Sequence, residues 1–403
     1  VKAFAVPTIT SGLAAGLSVL FFLGLSNRFG DAMLGHLILV QTAVALVQIA
    51  LVPNCLVYLL GAPPGADTDA RYREGIAIEW VGTLAGLAIV AIGQMLVGPR
   101  GEGAVMMFLS LATQASAATM GMARVRNLWR RYMLWILIPN LIRVPLVWAL
   151  PLIAPRLGIP DMAGNRSAII FTFFLLPDMA RVALIYLPQV LRHFSLPGMA
   201  ELRASARQIY RNWFFDVGSA ATDQADKLFV GALFGPQVLV AYFFARRIGV
   251  ITVMVTEPFY MELYRRRMTG NAAPGWLVIW GRGAMLALGL SVSAAILLAV
   301  LSKVPIAAQF LPNAVVLLMP MFAAVMVIDS LFAANRWSRF LAQVTNRAVS
   351  LLTVRLAAFG LFVLVAILMA PTQPVWGVVI ALAAALSVEA LYVRALASRA
   401  ERT

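Results

Sequence analysis

The chain has 403 residues, 62% of them hydrophobic and only 12% charged, with a net charge of +15. Soluble chains of this length carry about 25% charged residues, so a soluble enzyme and a single-span anchor on a globular domain are both excluded. What remains is an all-α, polytopic membrane protein.

Apolar runs of about twenty residues, enough to cross a hydrocarbon core about 30 Å thick, recur along the chain. They predict twelve transmembrane helices at 4–26, 32–60, 76–97, 104–123, 132–154, 167–188, 212–234, 237–263, 276–300, 313–333, 349–370 and 374–393. Most of the 32 Lys and Arg fall in the tails and in the loops 61–75, 124–131, 189–211, 264–275 and 336–347. The positive-inside rule places these segments and both termini in the cytoplasm. The basic excess is therefore a topology signal, and no nucleic-acid partner is expected. A cleavable leader is not expected either, because the first apolar segment is long and runs into the second.

The segment 189–211 divides the chain into an N-terminal six-helix lobe at 1–188 and a C-terminal lobe at 212–403, with 189–211 as a cytoplasmic linker. A short repeat supports this division. Phe29-Gly30 with Leu34-Gly35 returns as Phe234-Gly235 with Leu239-Val240, offset by 205. Parallel repeats of even span number are related by a pseudo-two-fold along the membrane normal, with a substrate site between them.

Single residue types add little. Cys55 is alone, which leaves no disulfide framework. His36 and His193 lack metal-ligand spacing, so no metal site and no cofactor are expected.

Charge inside the membrane is costly and marks function or pairing. Arg143, Asp178, Arg181, Asp223, Asp226, Lys227, Arg246 and Arg247 fall near mid-membrane. Glu79, Asp216, Glu257, Glu262, Arg282, Asp329, Arg355 and Glu389 fall nearer the cytoplasmic edge, where snorkelling to the headgroups is one explanation. Asp178 and Arg181, three apart, either pair with each other or serve a ligand. Arg143 has no acid on its own helix, so it needs a partner elsewhere or an anionic ligand. Lys227 follows Asp223 by four residues, a spacing that favours a pair; the alternative is that Lys227 faces a cavity. Gln41 and Gln48, seven apart, either bind sugar hydroxyls or join helices. Asp178, Asp223, Asp226 and Glu257 are the candidates for internal ion pairs or for proton or sodium coupling.

The stretch 222–248 resembles the seventh- and eighth-span signature of bacterial polysaccharide flippases, within the multidrug/oligosaccharidyl-lipid/polysaccharide exporter superfamily. The shared residues are Asp226-Lys227-Leu228, Gly231, Phe234-Gly235-Pro236, Leu239, Tyr242, Ala245 and Arg247; the first turn, Asn27-Arg28-Phe29-Gly30 to Leu34-Gly35, is similar as well. Val240 departs from the pattern, in which glycine is commoner. The resemblance implies a two-lobed, V-shaped bundle in the bacterial inner membrane that moves a polyprenyl-diphosphate-linked oligosaccharide to the outer leaflet. Spans one, two, seven and eight would line its cavity, with Asp226, Lys227 and Arg247 on matching positions. Membrane lipids and glycan-assembly machinery are the partners it implies.

Guanidinium groups bind phosphate oxygens in bidentate fashion. Arg143, Arg181, Lys227, Arg246 and Arg247 are accordingly the candidate ligands of the diphosphate, and Gln41 and Gln48 those of the sugars. A cation-coupled drug exporter of the same superfamily is the alternative. A membrane glycan polymerase or ligase is less favoured, because no large outer loop and no H-E-x-x-H motif is present. A major-facilitator carrier lacks its basic loop signature in 61–75.

Overall fold

The computed structural model describes residues 2–51, 55–60, 67–97, 105, 117–126, 128–153, 165–193, 197–268, 275–332, 335 and 347–400. Every regular element among them is helical. In hydrocarbon each backbone N–H and C=O needs a partner within its own segment, and only a helix supplies one there. In chain order the helices are α1 (Lys2–Leu51), α2 (Cys55–Leu60), α3 (Thr68–Val97), α4 (Ala117–Val125) and α5 (Trp129–Ile153). The helical run α6 covers 166–193, and α7 is Met199–Met268. The remainder are α8 (Trp276–Leu301), α9 (Asn313–Leu317), α10 (Met319–Leu331), α11 (Ala348–Met369) and α12 (Pro374–Ala400). Seven segments among the described residues are long and apolar enough to cross a membrane. The chain is a multi-pass membrane protein. Most of the expected fourth span, 104–123, lies outside the described residues.

α1 and α7 each contain two expected spans joined by a corner of one residue. Gly30 has φ 80°, ψ 164°, and Gly235 has φ 84°, ψ 175°. This region is open essentially to glycine alone. The 205-residue repeat is thus repeated in the backbone, with the same conformation at both positions. The corners also touch: a Cβ on Gly35 would stand 2.9 Å from Pro236 Cβ, and one on Gly231 would stand 2.8 Å from Leu39.

Two expected loops are partly helical. α3 starts at Thr68 because Asp67 Oδ1 accepts the N–H groups of Asp69 at 2.9 Å and Ala70 at 3.2 Å, an N-cap. α7 starts at Met199, where Glu201 Oε2 reaches back to the Gly198 N–H at 3.2 Å, half of a capping box. Its first turns are amphipathic. Ser205 and Ile209 are buried with Leu202 and Ala206 half-buried, while Glu201, Arg203 and Arg207 are exposed.

The chain forms two compact units, residues 1–21 with 40–221, and 22–39 with 222–403. In the first, Tyr58, Tyr72, Ile76, Met122, Trp135 and Tyr186 form a buried core that also takes in Ile209. Tyr58 Oη donates to Glu74 Oε2 at 2.5 Å, and Ser205 Oγ donates to the same oxygen at 2.7 Å, which fastens the start of α7 to α2 and α3. In the second unit, Met321, Phe322, Val325 and Met326 of α10 are buried, as are Val378, Ala381 and Leu382 of α12. Its α8 keeps Met285, Leu286, Ile296, Leu297 and Val300 exposed, a lipid-facing apolar stripe at helical spacing.

Candidate functional site

The intramembrane charges gather into clusters inside each unit. In the first unit the centre is Asp178, buried on α6. Its Oδ2 receives Arg143 at 2.7 Å and its Oδ1 receives Arg181 at 3.0 Å. The local winding of α6 prepares this arrangement. Phe171–Leu175 and Val182–Tyr186 are π-helical and flank Leu176–Arg181, the α-helical turn that carries Asp178 and Arg181. π segments recur at functional sites. Pro177 has no N–H, which leaves the carbonyl four residues back, that of Phe173, without its α-helical donor. Arg143 Nε supplies a replacement at 3.1 Å.

The faces of both guanidinium groups lie on aromatic rings. Arg143 sits 5.8 Å from the centroid of Phe21 and 5.7 Å from that of Phe174, and Arg181 4.9 Å from that of Trp135. Cation–π contact stabilises a desolvated guanidinium without neutralising it. Two cations share one carboxylate, so the cluster is net positive. Arg181 Nε is buried with no hydrogen-bond partner among the described residues.

In the second unit Asp226 of α7 is the hub. Tyr242 Oη donates to its Oδ2 at 2.6 Å, Arg246 approaches that oxygen at 3.3 Å, and Lys227 Nζ lies 3.5 Å from Oδ1. Arg246 bonds Asp329 of α10 as well, and is itself buried. Gly249, one turn beyond Arg246, makes room for this contact, since a Cβ there would collide with the Asp329 carboxylate. Two acids and two bases balance, leaving this cluster neutral.

Lys227 does not pair with the Asp223 carboxylate. Its Nζ donates to the backbone carbonyl of Asp223 at 2.8 Å and to Gln224 Oε1 at 3.0 Å, and its ionic partner is Asp226. The Asp223 side chain is exposed. Arg247 lies over Phe22 at 5.5 Å and Phe243 at 5.7 Å.

Gln41 is half-buried on α1 in the first unit. The side chains of Gln48 and Glu257 lie outside the described residues. Arg355 and Glu389, placed near the edge by the sequence, are paired at 2.8 Å between α11 and α12. Sequence reasoning leaves five participants without a role. Asp329 was set among the edge charges, Tyr242 was noted only in the family pattern, and the aromatic platforms of Phe21, Phe174 and Trp135 were not identified. Their separation along the chain from the groups they serve hides them.

No protein-family model and no curated protein matches the chain. Solved structures do. An inward-facing multidrug resistance MATE family transporter of the MOP superfamily aligns with TM-score 0.61 at 15% identity, over 98% of this chain and 96% of its own. An outward-facing one aligns at 0.58 and 14% identity, over 100% and 97%. A MOP superfamily transporter from Pyrococcus furiosus Vc1 (DSM3638), whose binding pocket has a reverse polarity that suggests a different function, aligns at 0.57 and 15%, over 100% and 97%. The chain therefore has the all-α, twelve-helix, two-lobed fold of the MATE family transporters of the MOP superfamily.

Proposed function

We propose that this protein is an alternating-access transporter of the bacterial inner membrane, with both termini cytoplasmic, that carries an anionic lipid-linked oligosaccharide built on a polyprenyl diphosphate. Solved transporters of this fold adopt inward-facing and outward-facing conformations, which supports the alternating-access part. The cargo rests on one observation: Arg143 and Arg181 share the single carboxylate of Asp178, and Arg181 keeps a buried N–H without a partner among the described residues. A diphosphate supplies the missing negative charge and the acceptor oxygens. Cation-coupled drug export is the second reading, favoured by the multidrug transporters among proteins of the same fold.

Proteoliposomes separate the two. A fluorescent polyprenyl-diphosphate disaccharide in the inner leaflet becomes quenchable from outside only if it is moved. We expect wild-type protein to move it, and Arg181→Gln to lower the rate at least tenfold with normal protein yield. Accumulation of a cationic dye by the wild type, with no movement of the lipid, would overturn the cargo assignment in favour of drug export.

A further inference from the structure

Away from the charged clusters, one buried acid stands without a base among the described residues. Glu79 on α3 has 0% exposure. Its Oε1 accepts the backbone N–H of Ala118 at 2.7 Å, in the first turn of α4. Its Oε2 is buried with no hydrogen-bond partner among the described residues, and the same holds for Thr83 Oγ1 and Tyr186 Oη. Among the described residues no ion pair joins Glu79 to a Lys or Arg.

An ionised Glu79 would be a full charge in a dry core, and one backbone N–H with a weak thiol donor offsets only part of that cost. A proton on Oε2 removes the charge and turns a bare acceptor into a donor. Thr83 Oγ1, one turn on along α3, is likewise buried without a hydrogen-bond partner among the described residues, so the gain lies in removing the charge and not in a new hydrogen bond. Oε1 continues to accept from Ala118.

Among the described residues, the surrounding elements supply no other group that would neutralise the acid. From α2 comes the Cys55 thiol, which donates to Gly75 O at 3.5 Å and also neighbours the Glu79 carboxyl, a weak donor that does not neutralise it, with Tyr58 beyond it bonded to Glu74. α3 itself contributes Tyr72, whose phenol is pushed up to about 12 by burial and shares a hydrogen bond with Thr119 of α4 at 3.1 Å. α5 contributes Arg131, which donates to Gln189 of α6 at 3.0 Å. α6 also contributes Tyr186. α7 contributes Tyr210, a partly exposed phenol that partial burial pushes up from its ordinary value.

We propose that Glu79 is a proton-binding site that latches α3 to α4, closed while the acid carries its proton and released when the proton leaves. Opening this contact exposes the acid to water, where a glutamate ionises near about pH 4.3. The open form then holds one proton fewer, so each pH unit above that value favours opening by a factor of about ten for as long as the closed form keeps its proton. Closure is favoured at low pH and weakens as pH rises. This goes beyond the transport reading and does not depend on what is carried.

The test needs no cargo. Hydrogen exchange of α4 is followed across pH in lipid nanodiscs, corrected for the intrinsic pH dependence of amide chemistry. Wild-type protection should fall about tenfold per pH unit. Glu79→Gln mimics the neutral acid, keeps the acceptor for Ala118 and should fold normally, with protection that no longer depends on pH. In parallel, dicyclohexylcarbodiimide, which attacks protonated carboxyl groups, should modify Glu79 at neutral pH and less at alkaline pH. An equal pH slope in Glu79→Gln overturns the proposal. Suppression of the labelling by sodium at constant pH also overturns it, assigning the site to a metal cation instead.

Discussion

Arg246 offers the most stringent test of how the second unit is held together. It is buried between Asp226 and Asp329, and Lys227 at 3.5 Å from Asp226 is the other cation of the cluster. Arg246→Ala leaves two buried carboxylates facing one ammonium, one negative charge too many. Removing one partner of a buried pair costs about 3–5 kcal/mol, roughly two to four orders of magnitude in the folding equilibrium at 1.36 kcal/mol per decade. Asp329→Asn leaves the opposite imbalance and should cost a similar amount. In the double variant the Asp226–Lys227 pair remains and the cluster is neutral again, so the two losses should fall well short of additive. Midpoints of thermal unfolding in detergent, read by fluorescence-detected size exclusion, give all four corners of the cycle. Gly249→Ala, which drives a methyl group into the Asp329 carboxylate, should destabilise alone and add little once Asp329 is Ala. Additive losses in the double variant, with Arg246→Ala near wild type, would refute this account and return Arg246 to the cargo.

Two further outcomes are expected. Gly30→Ala and Gly235→Ala each force a side chain into a glycine-only conformation and should cost about 1–3 kcal/mol apiece, seen as equal falls in thermal midpoint; a loss at only one corner would contradict their equivalence. For topology, single cysteines at Arg203 and Arg266 in a Cys55→Ala background should resist an impermeant thiol reagent in intact cells, and strong labelling of either would reverse the assigned orientation.

Run length and turn residues carried most of the fold. The twelve apolar segments and the corners at Gly30 and Gly235 follow from the solvent each stretch must tolerate and from the one residue able to make the bend. The extra helix at 68–75 and 199–211 was hidden by its polar composition, although the cap signals at Asp67 and at Gly198 with Glu201 were present to be read. The site was harder to read. Sequence places a charge at a depth along its helix but not at an angle around it. Asp178 and Arg181 were linked by spacing, whereas the reach of Arg143 to Asp178 crosses helices. Arg246 and Asp329 lie 83 positions apart, and no local pattern joins them. Lys227 shows the converse failure: four-residue spacing pointed to the Asp223 carboxylate, but the ammonium folds back onto that residue's carbonyl and onto Asp226.

The one-residue corners restrict what can be built into this chain. A long loop absorbs an epitope or an extra residue without disturbing its neighbours, but here there is no slack to absorb one. One inserted residue after Gly30 turns the whole following helix by about 100° around its axis, since each turn holds 3.6 residues. Leu39 would then swing away from Gly231 and Gly35 away from Pro236, and the two bends that now interlock would come apart together. Tags and fusion partners belong elsewhere, and a chain of this kind that shows a length change at either bend is expected to show a matching change at the other.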